Sequence, residues 1–404
     1  MSASDTPVTS PARRGPLSGF RILDLTANMT GPYATMILAE QGAEVIKVEP
    51  PGGEVIRSVG TGRPNLSVYF ANLNRGKKSI VINLKSGEGR DLVRRLAVGT
   101  DVMVQNYRPG VIDDLGLGAD TMRAADPSLV YVSISGFGRV GPYAEAPAYD
   151  HVVQALSGMA ARNANPKVGE PALVRHGVVD KTTGLVAAQA ITSALLGRER
   201  TGLGDHVELT MLDAALHYLW PDGMMNHTSL DDEAHLPDLG AGFRLTETAD
   251  GHVAMITVTD KQWRGLMVAV GLETELEAPD LQTLQDRMRN GGRVMRLAAD
   301  VLRTLPTADV VERLHRQDVP CGPVVALADL RDQPQIAALG AIEQYEHPVL
   351  GRLAQPRPSA QFEEVAEVDI LPAPLPGQDT DQILGDAGIG ADHVAALRAA
   401  GVVA

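Results

Sequence analysis

Short apolar runs alternate with amphipathic stretches along the first half of the chain. Residues 20–26 are apolar enough for a buried strand, Gly31-Pro32 opens an apolar helix over 33–41, and 44–49 reads as a second strand after Gly42. Strand, helix and strand in about thirty residues make a βαβ unit, which implies a parallel sheet. Further strands are expected over 80–84, 101–105, 129–135 and 205–210, with helices near 88–96, 149–158, 185–196 and 211–220. After residue 224 the texture changes. Residues 226–242 are polar and Gly-containing, as a crossing between domains would be. A hairpin over 245–256 turns at Asp250-Gly251. Trp263, Leu266, Met267 and Val270 fall on one helical face and predict core. A short apolar strand over 319–325 and two closing helices, 379–386 and 392–399, complete the pattern. The expected class is α/β: a parallel-sheet large domain plus a smaller α+β domain.

Composition narrows the function. The 404 residues carry a formal charge of −14, which argues against a nucleic-acid binder needing a basic face. The single cysteine, Cys321, forms no intrachain disulfide, has no activating base nearby in sequence, and fits a reducing cytoplasm as a structural thiol. No Cys/His spacing suggests a metal site, no apolar run approaches a membrane span, and residues 1–15 read as a disordered leader without a signal peptide. The turn after the first strand, Ala27-Asn28-Met29-Thr30-Gly31, lacks G-x-G-x-x-G, so a dinucleotide cofactor is not expected.

Candidate chemistry gathers around His176-Gly177-Val178-Val179-Asp180-Lys181-Thr182-Thr183-Gly184, before the long apolar helix. Asp180 is open to two readings. It caps the helix, or it is a carboxylate kept ionised beside free N–H groups that serve a developing oxyanion. Asn74-Arg75-Gly76-Lys77-Lys78-Ser79 is either a solvated basic turn or a phosphate contact. His151, in the first turn of its helix, is either a general base or merely hydrogen-bonded. The loop 50–67 is long enough to be functional.

Several stretches carry a family resemblance. They are Arg21-Ile22-Leu23-Asp24-Leu25 with Gly31-Pro32, Gly42-Ala43-Glu44-Val45-Ile46-Lys47-Val48-Glu49, and the Asn74 to Ser79 stretch. Next come Asn106-Tyr107-Arg108-Pro109-Gly110, Gln154-Ala155-Leu156-Ser157-Gly158, Asp180-x-x-x-Gly184 and Arg198-Glu199-Arg200-Thr201-Gly202-x-Gly204. Val319-Pro320-Cys321-Gly322-Pro323-Val324, His347-Pro348 and Pro374-Leu375-Pro376-Gly377 close the set. In this order, over about residues 16 to 404, the chain resembles the class III coenzyme A transferases. That family includes formyl-CoA and carnitine CoA-transferases, and its relatives include α-methylacyl-CoA racemase.

The resemblance implies a CoA-transferase acting on an acyl-CoA and a small carboxylic acid, with no permanently bound cofactor. Asp180 would be the nucleophile, through an aspartyl-CoA thioester. Met29, Thr30, the segment Ile82–Lys85, Asn106 and Tyr107 would line the CoA groove, with Arg108, Lys77 and Lys78 meeting phosphate. Asp114 stands where relatives often carry Arg. The racemase branch has a His base at the position matched by Tyr149, with His151 adjacent but displaced, so racemase chemistry is an alternative reading. A non-catalytic acyl-CoA-binding protein is another. The resemblance also implies a Rossmann-like large domain (16–225 and 327–404), a small domain (226–326), and an interlocked ring homodimer.

Overall fold

A computed structural model describes residues 15–164, 168–231, 243–365, 368 and 370–404. The expected leader, apart from Gly15, and residues 232–242 of the expected crossing lie outside the described residues. The chain divides into two compact units, one within Met1–Tyr218 and Ile342–Ala404, the other within Leu219–Ala341.

The first unit is built on a parallel sheet. Its strands are β1 (Arg21–Asp24), β2 (Glu44–Glu49), β3 (Lys77–Val81), β4 (Val102–Gln105), β5 (Val130–Ser135) and β6 (His206–Thr210). They lie in the order β3-β2-β1-β4-β5-β6, every neighbouring pair parallel. That is the doubly wound Rossmann order, in which ligands bind beyond the strands' carboxyl ends where the order reverses. Here the reversal falls between β1 and β4.

Both faces of the sheet are covered. One apolar cluster joins Ile22, Val45, Val104 and Val132 to Leu38, Ala187 and Ile191 of two helices. The other joins Leu23, Ile80 and Met103 to Leu92, Leu96 and the closing helices through Leu384 and Leu397. The chain's end also covers the sheet edge. Asn83 N–H donates to Val402 O at 2.8 Å, and Ser79 N–H to Asp379 at 2.8 Å. Pairing of this kind removes an exposed edge.

β3 begins three residues earlier than the apolar run predicts, so Lys77 and Lys78 are strand residues and not a basic turn. Register then fixes their surroundings. Asp24 pairs with Lys47, and Lys47 with Ser79. Register partners share a face, so this face carries polar groups into the interior.

The second unit has a three-stranded antiparallel sheet of Leu245–Glu247, His252–Met255 and Cys321–Pro323. Its core is Trp263, Leu266, Met267 and Val270 packed with Leu302 and Leu314. Cys321 is half-buried there, its thiol pushed up by burial. Among the described residues no helix is long and apolar enough to cross a membrane, and no cluster of acidic, His and Cys side chains could hold a metal.

Candidate active site

Asp180 lies in the first turn of a 24-residue helix, Val178–Thr201, whose N-cap is Gly177. The helix starts seven residues before the apolar pattern suggests, so Asp180 is not the cap. Its neighbours are set by two glycines. A Cβ at Gly177 would lie 2.7 Å from Met29 Sδ, and one at Gly184 would lie 2.9 Å from Thr30 O and 3.0 Å from Tyr33 Cδ1. Gly184, one turn below Asp180, therefore lets the helix approach the segment that follows β1.

That approach brings Thr30 to Asp180. The Thr30 hydroxyl donates to Asp180 Oδ1 and, among the described residues, is the one hydrogen-bond donor to that carboxylate. The Asp180 backbone N–H donates to Asp150 Oδ2 at 2.9 Å, and Asp150 Oδ1 accepts from Gln154 at 2.5 Å. Val178 N–H donates to His176 O. Two first-turn N–H groups are thus already engaged, which narrows the expected set of oxyanion donors. Burial raises the Asp180 pKa above the ordinary carboxylate value; the Thr30 hydroxyl opposes the rise and the Asp150 carboxylate adds to it. Tyr69 is half-buried nearby. Its hydroxyl is pushed up by burial first, then by Asp180, Glu54 and Asp150.

The loops after β1 and β4 meet beside this carboxylate. Asn106 Oδ1 accepts from Ala27 N–H at 2.9 Å and Asn106 Nδ2 donates to Ala27 O at 2.8 Å. Met29, Thr30, Asn106 and Asp180 are therefore brought together at the point where strand order reverses. Tyr107 is half-buried and Arg108 exposed at the end of β4, where both line a cavity of about 80 Å³. Arg139 lines the same cavity but is tied to Glu208 at 2.8 Å and to Asp113 at 3.4 Å. Lys85 is exposed on the loop after β3.

Three expected CoA contacts are placed elsewhere. Lys77 is buried, and its ammonium donates to Asp24 at 3.0 Å, Pro32 O at 2.9 Å and Asn74 at 2.9 Å, so all three N–H groups are used. Lys78 pairs with Glu44 at 2.7 Å at the amino end of the sheet, away from Asn106. Ile82 is core, its N–H bonded to Glu49 O. Lys77 and Lys78 are committed by strand membership, and Ile82, just past β3, is committed by its bridge to Val403. His151 is exposed, its ring stacked on Tyr149 with centroids 6.3 Å apart.

Asp150, Tyr69 and Glu54 escape the sequence reading. Asp150 carries a signal in hindsight, a carboxylate at the start of a helix that follows a strand; Tyr69 and Glu54 carry none.

A doubly wound parallel sheet with a half-buried aspartate beside its reversal point defines an α/β protein of the class whose ligands bind at that point. The profile of CoA-transferase family III matches residues 17–380, and the chain belongs to that family. It is 33% identical over 377 residues to succinyl-CoA:glutarate CoA-transferase of Mus musculus, covering 91% of this chain and 86% of that one. It is 34% identical over 336 residues to acetyl-CoA:oxalate CoA-transferase of Acetobacter aceti, covering 82% and 86%. The crystal structure of the hypothetical protein Rv3272 from Mycobacterium tuberculosis superposes with a TM-score of 0.81 at 30% identity, covering 92% of this chain and 99% of that one.

Proposed function

We propose that the protein moves coenzyme A from an acyl-CoA donor to a carboxylic acid acceptor, with Asp180 as the covalent carrier. The observation that carries this reading is the Asp180 carboxylate itself, which is half-buried and made more basic by that desolvation. One hydroxyl holds one of its oxygens, leaving lone pairs for attack. Met29, Thr30, Asn106, Tyr107, Arg108 and Lys85 are the CoA contacts of this reading; Lys77, Lys78 and Ile82 are not. Arg108 is its phosphate cation, since Asp114 offers none.

The chemistry balances without a proton. Asp180 attacks the thioester carbonyl; the C–S bond breaks, giving an acyl–aspartyl anhydride and CoA thiolate. The thiolate attacks the aspartyl carbonyl, forming the aspartyl–CoA thioester and releasing the donor acid as its carboxylate. The acceptor carboxylate then attacks that thioester, and the two steps run in reverse. Two covalent intermediates divide one difficult exchange into easier ones. Water must be kept from the anhydride, and a carboxylate already half-buried before substrate binds suits that need. Relatives named for glutarate and oxalate make short dicarboxylates the first acceptors to try.

The test is to incubate the protein with a panel of acyl-CoA esters, trap with hydroxylamine, and map the modified residue by mass spectrometry. A hydroxamate at Asp180, lost in Asp180→Asn, is expected. No adduct with any donor, alongside intact CoA binding, overturns the reading.

We also propose the interlocked homodimer. The Val178–Thr201 helix leaves Leu185 and Leu196 more than half exposed, and Tyr218 is likewise exposed. Apolar surface of this kind on the large unit suits a partner chain. Light scattering that reports a monomer at micromolar concentration would refute it.

A further inference from the structure

We propose that Glu54 is a positioning residue: its carboxylate holds the turn at Asn28 so that Thr30 presents its hydroxyl to Asp180. This rests on reading Asp180 as the reactive carboxylate. Glu54 is buried at the end of a Gly-containing loop and opens the 3-10 turn Val55–Ser58. Its two oxygens have different tasks. Oε1 pairs with the buried Lys47 ammonium at 2.8 Å, and Oε2 accepts the Asn28 N–H at 2.8 Å.

Asn28 is the turn residue that Glu54 holds. Its φ of +66° is left-handed, which asparagine adopts more readily than most residues, so what fixes the turn is the bond its N–H makes. The residues before it are fixed in the same way. Lys47 donates to Thr26 O at 2.8 Å, Asp24 accepts the Thr26 N–H at 2.9 Å, and Asn106 brackets Ala27 from both sides. Glu54 supplies the last of these restraints, two residues before Thr30. It is anchored in turn, since its own N–H donates to Glu49, which is clamped by Arg57 at 2.6 Å. In a glutamine one of these two positions becomes an NH2 group, so either Lys47 or the Asn28 N–H faces a donor where it now faces an acceptor.

The test is a titration of the Asp180 carboxyl carbon by NMR in protein labelled at aspartate, with Asp180 assigned by the signal lost in Asp180→Asn. Wild type, Glu54→Gln, Thr30→Val and the double variant are compared, with no acyl-CoA present. Thr30→Val is expected to raise the Asp180 pKa by about one pH unit, since a hydrogen bond to the charged form is lost. Glu54→Gln is expected to raise it in the same direction, and to add nothing in the Thr30→Val background. A field effect alone has the opposite sign, because removing a negative charge lowers the pKa of a neighbouring acid. A fall or no change in Glu54→Gln, or a rise that persists without the Thr30 hydroxyl, overturns the proposal. Should Glu54→Gln not fold, Glu54→Asp keeps the charge and shortens the reach; a rise is again expected, and an unchanged value is fatal. Failure of the transfer reading would appear as a missing adduct at Asp180 and leaves this titration intact.

Discussion

Asp24 is buried and Asp180 half-buried on the same side of one sheet, and their surroundings push them in opposite directions. Burial disfavours the charged form of both. At Asp24 that penalty is outweighed: Lys77 and Lys47 lie against it, and the hydroxyls of Thr26 and Thr35 donate at 2.5 and 2.7 Å. Its carboxyl is held far below the ordinary range. At Asp180 one hydroxyl and the smaller effect of Lys181 face the burial penalty and the nearby Asp150 charge, and the pKa rises. The first arrangement makes a carboxylate inert; the second suits the nucleophile proposed for Asp180. Two carboxylates separated by environment are how one fold assigns different roles to the same residue type.

The sharpest way to break the comparison is to neutralise each side. Asp180→Asn is expected to cut transfer by on the order of 10⁴-fold or more, since the covalent route is lost. It should leave thermal stability at pH 7 equal or higher. The sign follows from the raised pKa: the contribution of Asp180 to stability is present below its unfolded value and lost as pH rises through the folded one. A fall of the melting temperature would contradict this. Asp24 acts in the opposite sense, contributing above its unfolded value near 3.8 and losing that contribution as pH falls toward the folded one. Lys77→Met strips its principal partner. The expected loss is about 3–5 kcal/mol in urea unfolding at neutral pH, because a buried charge is left short of compensation. A loss under about 1 kcal/mol would show that Lys47 alone suffices.

This contrast was half legible in the chain. The strands holding Asp24 and Lys47 announce themselves as apolar runs closed by charge, and the late onset of the apolar pattern still points to the helix of Asp180. What the pattern hides is the amino end of β3. Two lysines break the apolar run, so a strand start resembles a basic turn, and Lys77 looks solvated when it is the counter-ion of Asp24. Lys181, Thr182 and Thr183 hide the first turn of the Asp180 helix in the same way. Glu54 and Tyr69 belong to no periodic element of the sequence. Tyr69, on the helix Val68–Asn74, reaches the Asp180 charge and Glu54 reaches the Asn28 turn through contacts distant in sequence, which no local spacing encodes.

A smaller perturbation acts on the approach itself. Gly184→Ala places a methyl against Thr30 O and Tyr33, and backbone cannot swing aside as a side-chain end can. Overpacking of this kind costs about 1–3 kcal/mol. The displacement falls on Thr30, so the rate of Asp180 hydroxamate formation should drop as well. A stable variant with an unchanged rate would show that the Thr30 contact tolerates a wider gap.

The least disruptive change concerns whether Asp180 works without a basic partner. His151 is the histidine adjacent to Tyr149, the position matched by the racemase branch's base, yet it is exposed and stacked on that tyrosine. Carboxylate attack on a thioester transfers no proton, and neither does thiolate attack on an anhydride. A base therefore has no step to serve in CoA transfer, whereas exchange at the α-carbon requires one. His151→Ala should leave the transfer rate within about twofold, and the parent should incorporate no solvent deuterium at the α-carbon of a branched acyl-CoA. Deuterium uptake that disappears in His151→Ala would move the protein toward the racemase reading. It would also recast Asp180 as a proton carrier, for which a raised pKa serves equally well.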